Sequence, residues 1–176
     1  MFFVAVVLLL SAAGQKADKQ PYQSEFNNEL SYADEKASLK EGLLVYTPNY
    51  DTTGLNEMEV LLYTEGVNIF DDEEGFPDSI NGDGFMLYFA LYTLDSTHLS
   101  PGEYSLQELR QNFGISDASI AIVSNADIES EMEMYSCEFE LEIEEGVYTL
   151  VGKAKDKEGE KVKFQYQGRL RYYKDQ

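Results

Sequence analysis

Short apolar or alternating segments recur along the chain from residue 43 onward, and each is bounded by Gly, Pro, Asn or Asp. Segments of this length are typical of β-strands, and the turn residues between them are typical of antiparallel hairpins. No helical period long enough for a crossover separates the segments, which argues against a parallel sheet. The pattern predicts eight strands: Leu43–Thr47, Glu57–Thr64, Phe85–Thr93, Glu103–Leu106, Ala118–Ser124, Glu133–Glu144, Val147–Ala154 and Glu160–Tyr173.

The number and spacing of these segments predict one all-β domain over residues 41–176. We expect an antiparallel β-sandwich, Ig-like or jelly-roll-like, that ends in a three-strand meander. A chain of 176 residues suits a single domain. Its 43% hydrophobic content excludes wholesale disorder.

The first hairpin of the meander has a predictable register. In Tyr135–Glu144 the odd-numbered residues are apolar or Cys and the even-numbered residues are polar, so one face packs on the core and the other meets water. Because Tyr135 is odd-numbered, it is predicted to point inward. A two-residue turn at 145–146 then places Glu138 opposite Lys153.

The second hairpin needs a three-residue loop at 157–159 to keep apolar residues on the inner face. That loop puts Gly159 where a type I turn with a G1 bulge requires positive φ. It also places Phe164 opposite Gly152 and Tyr148 opposite Gly168, so that each ring covers a strand glycine.

The same registers gather charges on the outer face of the meander, in two rows. We interpret these rows as a solvated, mutually neutralising surface, with a binding site as the alternative. The lysine row holds Lys153, Lys155, Lys161 and Lys163, and the glutamate row holds Glu138, Glu140 and Glu142.

Residues 1–14 are predicted to be a signal peptide. Phe2–Leu10 is an unbroken apolar run followed by small residues, too short to span a membrane. No Lys or Arg precedes Lys16, so the basic region of such a peptide is missing, and a buried strand is the alternative. Residues 15–40 are polar and predict a linker, with a short helix over Ala33–Lys40 as a further option.

Charge and cysteine content narrow the function classes. The net charge is −20, which argues against nucleic-acid binding because phosphate backbones are held by clustered cations. Cys137 is alone, so it forms no intramolecular disulfide, and its alternating segment predicts a small core residue.

Catalytic groups are sparse. His98 is the single histidine and lies in a loop-like Ser-Thr-His-Leu-Ser-Pro-Gly segment. A zinc site or a nucleophile with its base would need partners that the spacing does not supply. Carboxylates are abundant, but no pair is singled out as a glycoside hydrolase would require. The protein is therefore predicted not to be an enzyme.

Two segments supply candidate binding residues. In Phe85–Thr93 both strand faces are apolar, so Met86, Tyr88 and Tyr92 are either covered core or an exposed stripe for a ligand. The loop between Val67 and Gly84 is rich in oxygen ligands that could bind calcium, with a solvated loop as the alternative. Its candidate ligands are Asp71, Asp72, Glu74, Asp78, Asn81 and Asp83. No other cofactor is expected.

Several short motifs occur together in this order. They are the strand Leu43-Leu44-Val45-Tyr46, the strand at 84–89, Leu99-Ser100-Pro101-Gly102-Glu103-Tyr104, the strand at 146–150, and Phe164-Gln165-Tyr166-Gln167-Gly168-Arg169-Leu170. Over residues 40–173 the chain resembles the uncharacterised secreted or lipid-anchored β-sandwich proteins common in Bacteroidetes-type bacteria. The resemblance implies a periplasmic, cell-surface or extracellular location and no particular activity. The chain departs from that pattern because it lacks the cysteine of a lipobox.

The functional hypothesis is a non-catalytic, exported cell-envelope domain that binds a glycan or an envelope protein, with no membrane span in the mature chain. One alternative is a structural accessory subunit that associates through an open sheet edge. A second alternative is a polysaccharide hydrolase that uses a carboxylate pair.

Overall fold

The computed structural model describes residues 26–47, 54–73, 75–95, 97–107 and 111–174. These residues form twelve β-strands and no helix, which confirms the all-β class. The strands are β1 (Glu29–Tyr32), β2 (Glu35–Thr47), β3 (Asn56–Thr64), β4 (Val67–Asp71), β5 (Pro77–Gly82), β6 (Gly84–Thr93), β7 (Gly102–Leu106), β8 (Gly114–Ser124), β9 (Asp127–Glu144), β10 (Val147–Asp156), β11 (Lys161–Gly168) and β12 (Leu170–Lys174).

Nine of these strands form one closed β-barrel, whereas two stacked sheets were expected. The order is β1-β11-β10-β9-β7-β8-β6-β3-β2, and β2 returns to pair with β1. Both of the pairings that β1 makes are antiparallel. Closure pairs every strand of the ring on both sides, so the sheet buries its apolar face against itself.

Four strands modify or add to this simple ring. Strand β7 lies between β9 and the start of β8, and it runs parallel to β8. Strands β4 and β5 form a separate hairpin, and β12 lies parallel to β2. The hairpin covers the outer face of the barrel with a second apolar cluster. That cluster consists of Leu43, Tyr63, Val67, Met86, Ala121 and Val123.

The registers predicted for the meander of β9, β10 and β11 are confirmed. Glu138 lies opposite Lys153 in β9–β10. Phe164 lies opposite Gly152, and Tyr148 lies opposite Gly168, in β10–β11. Turn chemistry and the alternation of apolar residues together therefore determine this part of the fold.

The barrel interior is a packed core rather than an open channel along this meander. Phe89 contacts Phe139 and Phe164 with ring centroids 5.1 and 5.2 Å apart. Tyr104 stacks on Phe139 at 5.1 Å with an interplanar angle of 12°. These rings lie beneath Gly152, whose missing side chain leaves room for two of them.

Three expectations about the first half of the domain are wrong. The helix considered for Ala33–Lys40 is absent, because these residues turn from β1 into β2, and the barrel begins at Glu29 rather than near residue 41. The acidic segment Val67–Gly84 is a hairpin and not an irregular loop. The predicted signal peptide, residues 1–14, lies outside the described residues.

The inward orientation predicted for Tyr135 is also wrong. Lys155 pairs with Ser136, but the next residue, Asp156, pairs with Met134, so Tyr135 is an extra, unpaired residue in β9. The extra residue reverses the alternation, which buries Met134 and leaves Tyr135 54% exposed.

Candidate functional site

A groove with a volume of about 840 Å³ crosses the outer face of β1, β11, β10, β9 and β7. Every second residue of these strands points out of the barrel. The registers arrange these outward residues in transverse rows, and we call the channel over the first two rows the outer groove. The first row is Glu29, Gln165, Val151, Glu140 and Glu103, and the second is Ser31, Lys163, Lys153, Glu138 and Ser105.

A second cleft of about 540 Å³ continues the outer groove along β10 and β11. It lies over the third outward row, in which Lys161 is opposite Lys155 and Lys155 is opposite Ser136. A third cleft of about 400 Å³ extends past Lys161 to the turn between β1 and β2. We call the four side chains at the centre of this surface the lysine square; they are Lys153, Lys155, Lys161 and Lys163.

The residues at the bottom of the outer groove are held in place because they also belong to the packed core of the barrel. Phe139, Gly152 and Phe164 alternate with the outward residues and belong to the packed aromatic layer. A groove built on strands over a packed layer holds its side chains more precisely than one built on loops.

The charges of this surface are only partly paired. Lys153 Nζ lies 2.9 Å from Glu138 Oε1, and this hydrogen bond raises the pKa of Lys153. The side-chain ammonium groups of Lys155, Lys161 and Lys163 make no ion pair or hydrogen bond with the residues that the structure describes. Glu29 is paired with Lys36 at 2.7 Å. The surface therefore carries positive charge at its centre and carboxylates along its borders.

Tyr135 stands beside the second cleft because of the irregularity in β9. Its exposed ring and the hydroxyls of Ser105 and Ser136 give this end of the surface an apolar face with hydrogen-bonding groups around it. An exposed aromatic ring bordered by hydroxyl groups suits a ligand that is both apolar and polar, such as a sugar.

The candidate ligand-binding residues of β6 lie elsewhere. Met86 and Tyr92 are each 7% exposed, and Met86 is covered by the β4–β5 hairpin. Tyr88 is half-buried, and burial together with Glu59 raises its pKa. The three residues do not form an exposed stripe, and none of them lines the outer groove.

The candidate calcium ligands are distributed over separate contacts of the β4–β5 hairpin. Asp71 accepts hydrogen bonds from Arg171 and Tyr173 at 3.1 Å each. Asp72 accepts one from the backbone N–H of Phe76 at 2.8 Å, which closes the hairpin turn.

The other calcium candidates also make separate contacts or are exposed. Asp83 accepts hydrogen bonds from Ser124 and Asn125. Asp78 and Asn81 are exposed on β5, and Glu74 lies outside the described residues. Within the described parts of the chain, no group of three or more His, Cys, Asp or Glu side chains is arranged to hold a metal ion.

The two single-copy residues take structural positions. Cys137 is buried, and burial raises the pKa of its thiol to about 12. His98 is exposed in a loop, where its Nδ1 lies 2.6 Å from Thr97 Oγ1. Thr97 Oγ1 also donates to Asp95 at 2.7 Å, so this is a local turn network.

The sequence identified the lysine row but not the outer groove. The sides of the groove are formed by β1 and β7, and these strands pair with the meander only through long-range contacts that the sequence pattern does not predict. The clearest signal was the predicted register itself, because it already placed Lys153 opposite Lys163.

Among the described residues, none forms a helix long and apolar enough to cross a membrane. No protein-family model, curated protein or solved structure gives a significant match to this chain. Function therefore has to be inferred from the chain's own residues and their geometry.

Proposed function

We propose that this protein is a non-catalytic binding domain that holds a glycan in the outer groove. The observation that carries this proposal is the groove itself, with a volume of about 840 Å³ across five strands. Grooves of several hundred cubic ångströms are the usual size of ligand sites. Its lining of carboxylate, amide, hydroxyl and ammonium groups matches the many hydroxyls of a sugar chain.

The groove also has the shape that a chain molecule needs. It is open along the surface, continues into the second cleft, and passes the exposed side chains of Val151 and Tyr135. A glycan can lay its apolar ring faces on such side chains while its hydroxyls meet the polar rows.

The cellular setting belongs to the same proposal. The apolar run Phe2–Leu10 and the small residues after it support export, and an exported binding domain would meet envelope or extracellular glycans. The net charge of −20 supports a ligand other than nucleic acid.

A glycan array probed with the full chain tests this function, followed by titration of each hit. Val151→Trp fills the middle of the outer groove and should weaken binding at least fivefold. Ile128→Trp is the matched control, because Ile128 is also an exposed aliphatic strand residue, 50% against 47% exposed, but lies outside the groove. Equal binding by both variants, or an array without hits, would reject the proposal.

The outer edge of β12, which no described strand pairs with, favours a second candidate, an accessory subunit that binds an envelope protein. Strand β12 pairs with β2 on one side, and no described strand pairs with its other side. Unpaired strand edges accept strands from other chains. This candidate predicts a stable complex in envelope extracts, and a protein that stays monomeric there would count against it.

Glu103 and Glu140 face each other across β7 and β9, so turnover has to be measured as well. A binding domain should release no new reducing ends from any glycan that it binds. Turnover that disappears in Glu140→Gln would instead favour a hydrolase using a carboxylate pair.

A further inference from the structure

The lysine square concentrates four ammonium groups on adjacent strands. Lys153 is directly opposite Lys163, and Lys155 is directly opposite Lys161. Opposed residues of antiparallel strands have Cβ atoms about 4.5–5.5 Å apart, and the next residue on the same face is roughly 7 Å along the strand. The four charged groups therefore share one small area of surface.

Within the described part of the chain, one ion pair compensates this concentration of charge. The chain has 33 acidic and 13 basic residues, so carboxylate partners are plentiful. Even so, Glu138 is the single acidic partner that the described residues give to the lysine square. Like charges that oppose each other across strands destabilise the pair. An anionic group above the square would replace that repulsion with attraction.

The surroundings limit the kind of anion that fits. Carboxylates of Glu29, Glu103 and Glu140 border the outer groove on both sides of the lysine square. A densely charged polymer such as a nucleic acid would bring phosphates against these carboxylates. A ligand with sparse negative charges between uncharged polar parts avoids that repulsion.

We infer that the ligand of the outer groove is an acidic glycan, whose carboxylate or sulfate groups bind at the lysine square; this inference rests on the proposed glycan-binding function. The ring of Tyr135 and the hydroxyls of Ser105 and Ser136 contact the uncharged part of the sugar. Lys161 and Lys163, which have no ion pair in the described structure, supply the positive charge that selects the acidic ligand.

Calorimetric titration of the full chain tests this inference with four probes of similar length. They are a hyaluronan oligosaccharide, whose carboxylates lie on alternate sugars, a monosulfated oligosaccharide, a neutral cello-oligosaccharide and a single-stranded oligonucleotide. At least one acidic glycan should bind at least tenfold more tightly than the neutral glycan and the oligonucleotide. Its affinity should also fall as salt concentration rises, because screening weakens exposed charge interactions.

Three variants assign the effect to the lysine square. Lys161→Gln with Lys163→Gln should weaken acidic-glycan binding at least tenfold without lowering the melting temperature. The corresponding double Arg variant keeps the charge and should retain binding. Lys40→Gln is the control, because it removes a charge from β2 where Lys40 contacts Asn68, outside the groove.

The outcomes separate this inference from the proposed function. If neutral and acidic glycans bind equally, or if the double Gln variant binds as the original protein does, the inference is overturned while glycan binding stands. Equal affinity for the oligonucleotide overturns it as well, since the square would then be a general anion surface. If no glycan of either kind binds, the proposed function fails together with the inference.

Discussion

Replacement of Asp156 by Ala should loosen the junction at which the barrel closes. Asp156 is fully buried at the end of β10 and accepts three hydrogen bonds. The hydroxyl of Tyr32 on β1 donates one at 2.8 Å, and the backbone N–H groups of Glu158 and Glu160 each donate one at 2.9 Å. One carboxylate therefore joins β1 to the turn between β10 and β11.

The size of the effect follows from what each donor loses. A hydrogen bond to a charged group contributes about 1.5–3 kcal/mol, and a buried donor left without a partner bears the full desolvation cost. In Asp156→Ala the hydroxyl of Tyr32, which is 7% exposed, would be a buried donor without a partner. The backbone N–H groups of Glu158 and Glu160 lie in an exposed turn and can bind water instead. We therefore expect Asp156→Ala to reduce the free energy of unfolding by about 3 kcal/mol.

Equilibrium unfolding in urea measures this loss. With a slope of about 2 kcal/mol per molar urea, the midpoint should fall by about 1.5 M. Asp127→Ala is the control, because Asp127 is an exposed aspartate at a strand end and should change stability by less than about 0.5 kcal/mol.

A double-mutant cycle isolates the contact between the two strands. Tyr32→Phe should cost about 1.5 kcal/mol in the original protein, but once Asp156 is Ala it should restore part of the lost stability, because it removes a buried donor that has no partner. The reasoning is refuted if the Asp156→Ala midpoint stays unchanged, or if Tyr32→Phe costs the same in both backgrounds.

Three further predictions concern the core, the pH dependence and the outer face. In Gly152→Ala the new Cβ would lie 2.5 Å from Phe164 Cζ and 2.6 Å from a backbone carbonyl oxygen, so stability in urea should fall by about 2–3 kcal/mol. Burial raises the pKa of Tyr104 from 10.0 to about 12. Its contribution to the free energy of unfolding is therefore complete below pH 10 and disappears as the pH rises through 12. Unfolding in urea should show this as a loss of about 2.7 kcal/mol. Replacing Lys161 and Lys163 with Gln should raise stability by about 0.5–1 kcal/mol in the absence of ligand, since both opposed lysine pairs are relieved.

Each of these predictions has an outcome that contradicts it. An unchanged urea midpoint for Gly152→Ala would mean that the side chains and backbone around Gly152 move to accept the extra methyl group at little cost. Tyr104→Phe should reduce the loss of stability above pH 10, and an identical pH profile for this variant would reject the assigned cause. If the double Gln variant melts earlier than the original protein, the lysine square stabilises the fold, and the inferred repulsion between its charges is wrong.

Local chemistry made the C-terminal meander predictable. The turn glycines Gly146 and Gly159 have φ of 77° and 93°, and the strand residues on either side of each turn alternate between the two faces from residue 136 onward. A slip of one residue would turn every side chain to the wrong face, so only one register satisfies both hairpins. The positions of all four members of the lysine square followed from that register.

Closure of the sheet could not be predicted in the same way. Strand β1 has four residues, Glu-Leu-Ser-Tyr, in a polar region, and too few of them are apolar to show a period. Its partners β2 and β11 are fixed by tertiary pairing, and the same is true of β7, which forms a wall of the outer groove. Tyr135 was misplaced because Met134 beside it is apolar too, so either residue could be assigned to the core.

The pairing of β1 with β11 has a consequence for how the chain folds. Gln167 N donates to Asn28 Oδ1 at 2.7 Å although the two residues are 139 positions apart. The edge of β1 that faces β11 therefore stays unpaired until nearly the whole chain is available. Such long-range closure slows folding and exposes strand edges in the intermediates. During synthesis, the period before β11 emerges is when this protein is most open to aggregation and to chaperones.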